Sequence, residues 1–485
     1  MLSATALPAR PNAPALPTPD EDGTLRPYPK PASARTVSYS ELNSLGCWLR
    51  HDLQYRQRLR PVARFAALQL GSAWDAFLNE WHAPSDPGTP TGRTEAQRWE
   101  ASLDAATREI AREDRRVRAE LADKGLPIPR GYDDPFEVTD FLTGEVVNRA
   151  GASQLRDMTS TILSMALHYR ERYGREHDWR TLGVQVWFEV PFPSRRGGRA
   201  SSKFWLRGCI DRVALHIPTG RVYVIDAKLR MGALNRDYRE GFDNDLQLPL
   251  YGWALRQLGL ECAGGLIDAS AAKVPSWPEL LAREVPCMDE HGEKIMDPEL
   301  DESGEPVLYK SGPRKGEPKL KVRTRPALGA NAHLGTSLPV FRAALDAHGL
   351  DKTLYGDQLY MLEAQWRGAE AWDGDDSAFH WRTDHDEAVF TDAALDRAIA
   401  TMVGVGPYLD TLPPVPMPDK FRCKGCAFKI VCPEGDDATI AEHFTTPEQR
   451  DQLREQRRLE REEREATASP EALAVMDATA DSIPW

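Results

Sequence analysis

The run Arg221-Val-Tyr-Val-Ile-Asp226-Ala-Lys228 constrains this 485-residue chain more than any other segment. It is short, rich in β-branched and aromatic residues, and follows the turn signal Pro218-Thr-Gly220. It therefore reads as a strand returning beside the preceding apolar run, Lys203–Ile217. Side chains alternate along a strand, so Asp226 and Lys228 share one face. The hairpin can bring Asp211 beside them. Two carboxylates in a half-buried site repel each other and call for a divalent cation. Oxygen donors suit Mg²⁺ or Mn²⁺, and the Ala227 backbone carbonyl is a further candidate ligand. Downstream, Gln247 and Tyr251 stand at i and i+4 of a helix expected over 243–258, with Pro249 in its first turn.

Strands are also expected at Val184–Val190 and Gly264–Asp268, after helices at 65–81, 95–123 and 152–173. The order β-β-β-α-β after several helices predicts an α/β fold. The pattern G-x-x-D (208–211), D-x-K (226–228) and Q-x-x-x-Y (247–251) resembles the PD-(D/E)XK nuclease superfamily, in particular its RecB-like branch. The resemblance implies a restriction-endonuclease-like core, a mixed central sheet flanked by helices, and metal-dependent hydrolysis of DNA phosphodiesters. It implies catalytic roles for Asp211, Asp226, Lys228, Gln247 and Tyr251. Lys228 would orient the attacking water or stabilise the phosphorane. The branch carries a helical G-x-x-x-H whose His ligates metal, whereas Gly71-Ser-Ala-Trp-Asp75 has an aspartate there. Asp75 can serve as a hard oxygen ligand, with His82 as a fallback; Glu189 is given a secondary role.

The composition suits this reading. A net charge of −13 argues against a protein that coats nucleic acid through bulk charge, though not against a local basic groove. No apolar run has the length of a membrane span, and the N-terminal residues lack a basic-then-apolar signal. A cytoplasmic protein is expected, in the bacterial host if phage encoded.

Seven cysteines are too few for a disulfide scaffold. Three of them form Cys423-x2-Cys426-x5-Cys432, a spacing that serves zinc or an iron–sulfur cluster. Either needs a fourth ligand, and Cys47 is the best candidate. One cysteine ahead of the core and three behind it resemble the iron–sulfur staple of AddB-type and CRISPR-associated RecB-like nucleases, implying a [4Fe-4S] cluster on Cys47, Cys423, Cys426 and Cys432. The alternative is a zinc knuckle at 423–432 with a ligand such as His443, Cys47 then being a core thiol.

The expected organisation is a disordered Pro-rich arm (1–36), a nuclease core with N-terminal helices (37–270), an irregular insertion (271–375), a helix and the cysteine cluster (376–435), and a charged helix with a disordered tail (436–485). The first ordered helix is expected to start at Ser38 or Ser40 and to carry Cys47 through to Arg64. No internal repeat is evident. Two basic groups are candidate DNA contacts: Arg195 and Arg196, and Lys315, Lys319, Lys321 and Arg323 within Lys310–Arg325. Looser likenesses at 336–341 and Phe379–Arg382 point to phage or mobile-element relatives. The end, Asp481-Ser-Ile-Pro-Trp485, resembles the acidic tip of single-strand-binding proteins.

The expected function is a DNA exonuclease in recombination, repair or replication, favouring single-stranded ends. A non-catalytic DNA-binding adaptor and a structure-specific endonuclease are the alternatives. No P-loop is present, so unwinding would fall to a partner such as a helicase, and a recombinase is another candidate partner.

Overall fold

The computed structural model describes residues 14–459 except 62–65, 85–92, 129–135, 140, 150–157, 175, 194–199, 233, 243–244, 290–291, 330–334, 368–378, 406–407, 410, 412, 418–422, 424–425, 433–436, 453–454 and 457. Arg195, Arg196 and the C-terminal tip lie outside the described residues. The chain divides into two compact units. The larger comprises 1–36, 65–116 and 128–403; the smaller comprises 37–64, 117–127 and 404–485. No helix among the described residues is long and apolar enough to cross a membrane.

In the larger unit, helices α1 (Ala66–Trp81), α2 (Glu95–Asp123, of which residues 117–123 belong to the smaller unit) and α3 (Met158–Tyr173) precede the sheet. Strands β1 (Trp179–Pro193), β2 (Ala200–His216) and β3 (Arg221–Arg230) follow as an antiparallel meander. Helix α4 (Gln247–Gln257) then crosses to β4 (Cys262–Ala271), which runs parallel to β3. The expected αβ order is therefore present as a mixed central sheet flanked by helices, consistent with a restriction-endonuclease-like fold. A short strand, His380–Arg382, closes on β4 antiparallel.

The helical layer packs through aromatic residues at helical spacing. Trp74, Phe77, Leu78 and Trp81 of α1 are buried with Met165 and Tyr169 of α3, and Ala227 and Leu229 of β3 pack against them. Trp74 and Phe77 stack at 5.0 Å, and Tyr169 meets Trp74 edge-on. This packing fixes α1 over β3 and places Asp75 above the sheet.

The structure corrects three expectations. Residues 14–36 are not a disordered arm over their described length: Leu25 is buried and bridges to Phe188, while Arg26 binds Glu189 at 2.8 Å. That ion pair with a buried carboxylate, and the buried Leu25, supply the anchors a Pro-rich segment otherwise lacks.

The insertion is not irregular either. Helices over Leu338–Ala347 and Gly356–Arg367 bury Phe341, Leu345, Tyr355 and Leu362 in a core of their own. Ahead of them, strands Leu280–Pro286 and Thr324–Leu328 pair as the base of a narrow arm. That arm does contain a repeat, Gly292-Glu293, Gly304-Glu305 and Gly316-Glu317, twelve residues apart. All three glycines have φ between 79° and 86°. Each ends a tight turn that L side chains adopt only with strain. Backbone hydrogen bonds close the arm into rings: Ile295 to Cys287, Arg323 to Ile295 and Cys287 to Arg323, then Val307 to Glu299, Lys319 to Val307 and Glu299 to Lys319. The Gly- and Pro-rich composition that reads as loop is the turn chemistry of this stack.

In the smaller unit the first helix, capped by Ser38, covers only Tyr39–Ser44. The chain is extended at Cys47, which heads a second short helix, Trp48–His51. Leu53, Leu59, Phe428, Val431 and Phe444 form the buried core, with Phe428 and Phe444 stacked at 5.1 Å.

Two glycines test this packing with opposite signs. A Cβ at Gly208 would lie 2.5 Å from the Phe188 ring and 2.9 Å from Tyr251. Gly208→Ala should cost about 1–3 kcal/mol in urea unfolding. Gly71, inside α1, faces open space. Gly71→Ala should raise stability by about 0.5–1 kcal/mol in the same measurement.

Candidate active site and cysteine cluster

Asp226 and Lys228 alternate onto one face of β3, and the Lys228 Nζ lies 2.5 Å from Asp226 Oδ2. Gln247, at the first turn of α4, ties both together. It accepts from Lys228 at 3.0 Å and donates to Asp226 Oδ1 at 3.0 Å, with the Tyr251 hydroxyl 3.3 Å from the same amide nitrogen. The Gln247 N–H donates in turn to Asp245 Oδ1. Pro249 fits because it occupies the third position of the helix, where no intrahelical N–H is needed.

Asp211 reaches in from β2. Its Oδ2 accepts from the Ala227 N–H at 2.9 Å, across the hairpin. Asp75, from α1, lines a small cavity of about 20 Å³ together with Asp211, Ala227, Asp268 and His82. Such a space holds about one ion or water. The sequence-derived set Asp75, Asp211, Asp226, Ala227, Lys228, Gln247 and Tyr251 thus converges.

The electrostatics follow from crowding. Burial and then the neighbouring Asp226 push Asp75 up to about 7. Burial, Asp226 and Asp75 hold Asp211 well above the usual carboxylate range. Asp226 is raised by burial, against the opposing pull of Lys228. Burial would lower Lys228, but the Asp226 carboxylate more than reverses this and raises it. Three carboxylates against one ammonium leave negative charge that a divalent cation would neutralise. The donors are all hard oxygens, so the residues present fit Mg²⁺ or Mn²⁺.

The remaining candidates are otherwise engaged. His82 hydrogen-bonds the Tyr169 hydroxyl at 2.9 Å, and burial holds its pKa far down. Glu189 is engaged by Arg26 and Lys30. In the basic segment, Arg323 is bidentate to Asp297, Arg314 pairs with Glu317, and Arg325 is buried against Asp357. Lys315 and Lys321 are exposed and Lys319 half-buried. The segment therefore carries less uncommitted charge than its composition suggests. A third metal-capable group, Asp384-His385-Asp386, lies near the surface.

Several residues escaped the sequence reading. Gln185 stands opposite Asp211 in the β1–β2 register with φ 47°, a strained conformation for a non-glycine residue. It accepts from the Cys209 thiol and donates to Asn79. Beside the aspartates, Glu176 binds Arg212 at 2.6 Å and also Arg382, and Arg382 meets Asp268 at 2.5 Å. The Phe379-His-Trp-Arg382 likeness was the one sequence signal for this network.

In the smaller unit, Cys47, Cys423, Cys426 and Cys432 are free thiols, and Cys426 packs against the Phe428 core. The Cys432 thiol is raised by burial and then by the charges of Cys47, Cys423 and Cys426, so the four sulfurs face a common region.

The family model for the PD-(D/E)XK nuclease superfamily matches residues 36–433. No curated protein matches the chain.

Asp75 gives a pH test. Its native pKa of about 7 exceeds the ordinary value of 3.8, so the native state binds more protons between these limits. Without divalent ions, the contribution of Asp75 to stability is fully present below pH ~4 and is lost as pH rises through ~7. Thermal melts in chelator should show this decline, Asp75→Asn should flatten it, and added Mg²⁺ should reverse it at pH 7.5.

Proposed function

Because the chain belongs to the PD-(D/E)XK nuclease superfamily, we propose that it is a RecB-like, Mg²⁺- or Mn²⁺-dependent DNA exonuclease with a structural [4Fe-4S] cluster. The observation that carries the nuclease reading is the convergence of Asp226, Lys228 and Gln247 within 3.0 Å contacts, beside Asp211 and Asp75.

Asp75, Asp211 and Asp226, with the Ala227 carbonyl, would hold the cation. When bound, it supplies charge neutralisation at the scissile phosphate and acidifies water. The chain's own residues do the positioning. Lys228, held cationic by Asp226, presents N–H donors to the attacking water and to the developing negative charge on phosphorus. Gln247 fixes the rotamers of both Lys228 and Asp226. Tyr251, held protonated by burial and the neighbouring Asp226, offers a hydroxyl donor to a substrate oxygen. The strained Gln185 ties β1 to β2 through Cys209 and to α1 through Asn79.

The Cys432 thiol lies in the field of Cys47, Cys423 and Cys426 together, which supports a four-cysteine site over a zinc knuckle confined to 423–432. Four soft thiolates suit an iron–sulfur cluster. We place the activity in DNA recombination, repair or replication, with single-stranded ends preferred because a flexible strand threads a narrow site most readily.

Linear and circular single-stranded DNA should be assayed with Mg²⁺ and Mn²⁺. Linear substrate should be degraded and circular substrate spared; cutting of circles would make the enzyme an endonuclease. Lys228→Ala should lower the rate about 10²–10⁴-fold. No metal-dependent cleavage by the unaltered chain would leave a binding protein. Anaerobically purified protein should show a broad absorption band in the blue that Cys47→Ser and Cys432→Ser abolish. A colourless protein carrying zinc would overturn the cluster assignment.

A further inference from the structure

The arm of the larger unit repeats a second, shorter motif. Asp297-Pro-Glu-Leu300, Glu305-Pro-Val-Leu308 and Glu317-Pro-Lys-Leu320 all read acid-Pro-x-Leu. The three x residues, Glu299, Val307 and Lys319, are the members of the upper ring of backbone hydrogen bonds. Three legs leave that ring. One is the stem, Met296–Pro298 paired with Leu320–Val322. The others are hairpins closed by the Leu300–Pro306 and Leu308–Pro318 bridges. Side chains alternate along an extended chain, so the proline before and the leucine after each ring residue project to one face. The register agrees: Pro298 stands opposite Leu320, Leu300 opposite Pro306 and Leu308 opposite Pro318. Three prolines and three leucines thus form an apolar disc with pseudo-threefold symmetry.

The disc lies open. All six residues are exposed, the leucines at 54 % (Leu300), 47 % (Leu308) and 45 % (Leu320). Met296, next along the stem on the same face, is 44 % exposed. The usual arrangement is inverted, because the ring residues Glu299, Val307 and Lys319 are the half-buried ones. On the reverse face of the stem, Asp297 stands opposite Lys321 and binds Arg323 at 2.6 Å. The polar face therefore finds partners within the arm, while the apolar face meets solvent. Single exposed leucines are ordinary, but a contiguous apolar face on a narrow projection marks a contact surface.

Charge selects the occupant. The hairpin within Leu300–Pro306 carries Asp301, Glu302 and Glu305 and no cation. The hairpin within Leu308–Pro318 carries Lys310, Arg314 and Lys315 against Glu317 alone, which Arg314 binds at 2.8 Å. The two hairpins diverge from the stem, so the apolar disc has an acidic lobe on one side and a basic lobe on the other. Such a face complements itself. Turned about a two-fold axis along the stem, a second copy lays its acidic lobe on the basic lobe of the first, twice over, with the discs in contact between them. A two-fold across the stem would set acid on acid, which like-charge repulsion disfavours. The acidic lobe likewise repels a nucleic-acid backbone. Two discs with their Met296 and Val322 neighbours would remove on the order of 1,000 Å² from water, the lower limit for specific pairing.

We propose that this face of the arm is a docking surface for a second copy of the chain, giving a symmetric pair of arms that lie side by side and point the same way. The leucines and prolines supply the contact, and the two lobes fix its orientation. The pairing does not depend on the nuclease reading, since no residue of the aspartate cluster takes part in it.

Sedimentation equilibrium of the full chain over ~1–100 µM should show the mass rising from one chain to two, as an interface of this size implies. Leu300→Ser, Leu308→Ser and Leu320→Ser combined should weaken the association at least about tenfold. Their urea unfolding should match that of the unaltered chain, because the three side chains are exposed. Two charge variants test the orientation. Lys310→Glu with Lys315→Glu gives a chain with two acidic lobes; Glu302→Lys with Glu305→Lys gives one with two basic lobes. Each alone should sediment as a single chain, and an equimolar mixture should recover the pair. A chain that stays single at every concentration overturns the proposal and leaves the face to a different protein. So does a pair that the leucine substitutions leave intact, or charge variants that fail to recover on mixing.

Discussion

Crowding of carboxylates around one lysine is the constraint on which the rest of this structure depends. Asp75, Asp211 and Asp226 come from a helix and two strands, and burial raises all three above the usual carboxylate range. Lys228 compensates only part of that charge. Isolated, such a cluster would drive its supports apart or take up protons. The surrounding packing prevents the first. Stacked Trp74 and Phe77 pin α1, and the Ala227 N–H holds Asp211 across the hairpin. Gly208 lets the Phe188 and Tyr251 rings close over β2.

Much of this was legible in the residues. Strands β1 to β4 lie over the apolar runs read at 184–190, 203–217, 221–228 and 264–268, although β1 begins five residues earlier. Asp75 was found because Gly71-Ser-Ala-Trp-Asp75 stands where the resembled branch carries its helical G-x-x-x-H. The network of Glu176, Arg212, Asp268 and Arg382 was not legible, because its members join across 36 to 206 residues of sequence. No local pattern announces an ion pair of that range. The basic segment misled for a related reason: composition counts charges but not their partners, and Arg314, Arg323 and Arg325 are committed to carboxylates. The helix expected through Cys47 breaks because Gly46 precedes a cysteine whose backbone is extended.

The smaller unit shows how chain ends far apart in sequence can share one core. Strand Phe444–Thr445 pairs with Arg60–Pro61, and Lys124 donates to the Ala441 carbonyl at 2.6 Å. Its main apolar cluster among the described residues is modest, five buried side chains with a few partners. A ligand held by Cys47 and Cys432 would close a loop of several hundred residues, for which the entropic cost grows only logarithmically with length. Sulfur ligation would then contribute to folding directly, as metal sites in small units do.

The arm of the larger unit has a modular logic. One ring of backbone hydrogen bonds passes through Cys287, Ile295 and Arg323, and the next through Glu299, Val307 and Lys319. Moving up one storey therefore takes twelve residues outward and four on the return strand. A duplication or deletion of that size would shift the tip by about 13 Å without disturbing the register at the base. Related chains could thus carry arms of stepped lengths on an unchanged catalytic body, with reach adjusted by whole storeys rather than by gradual drift.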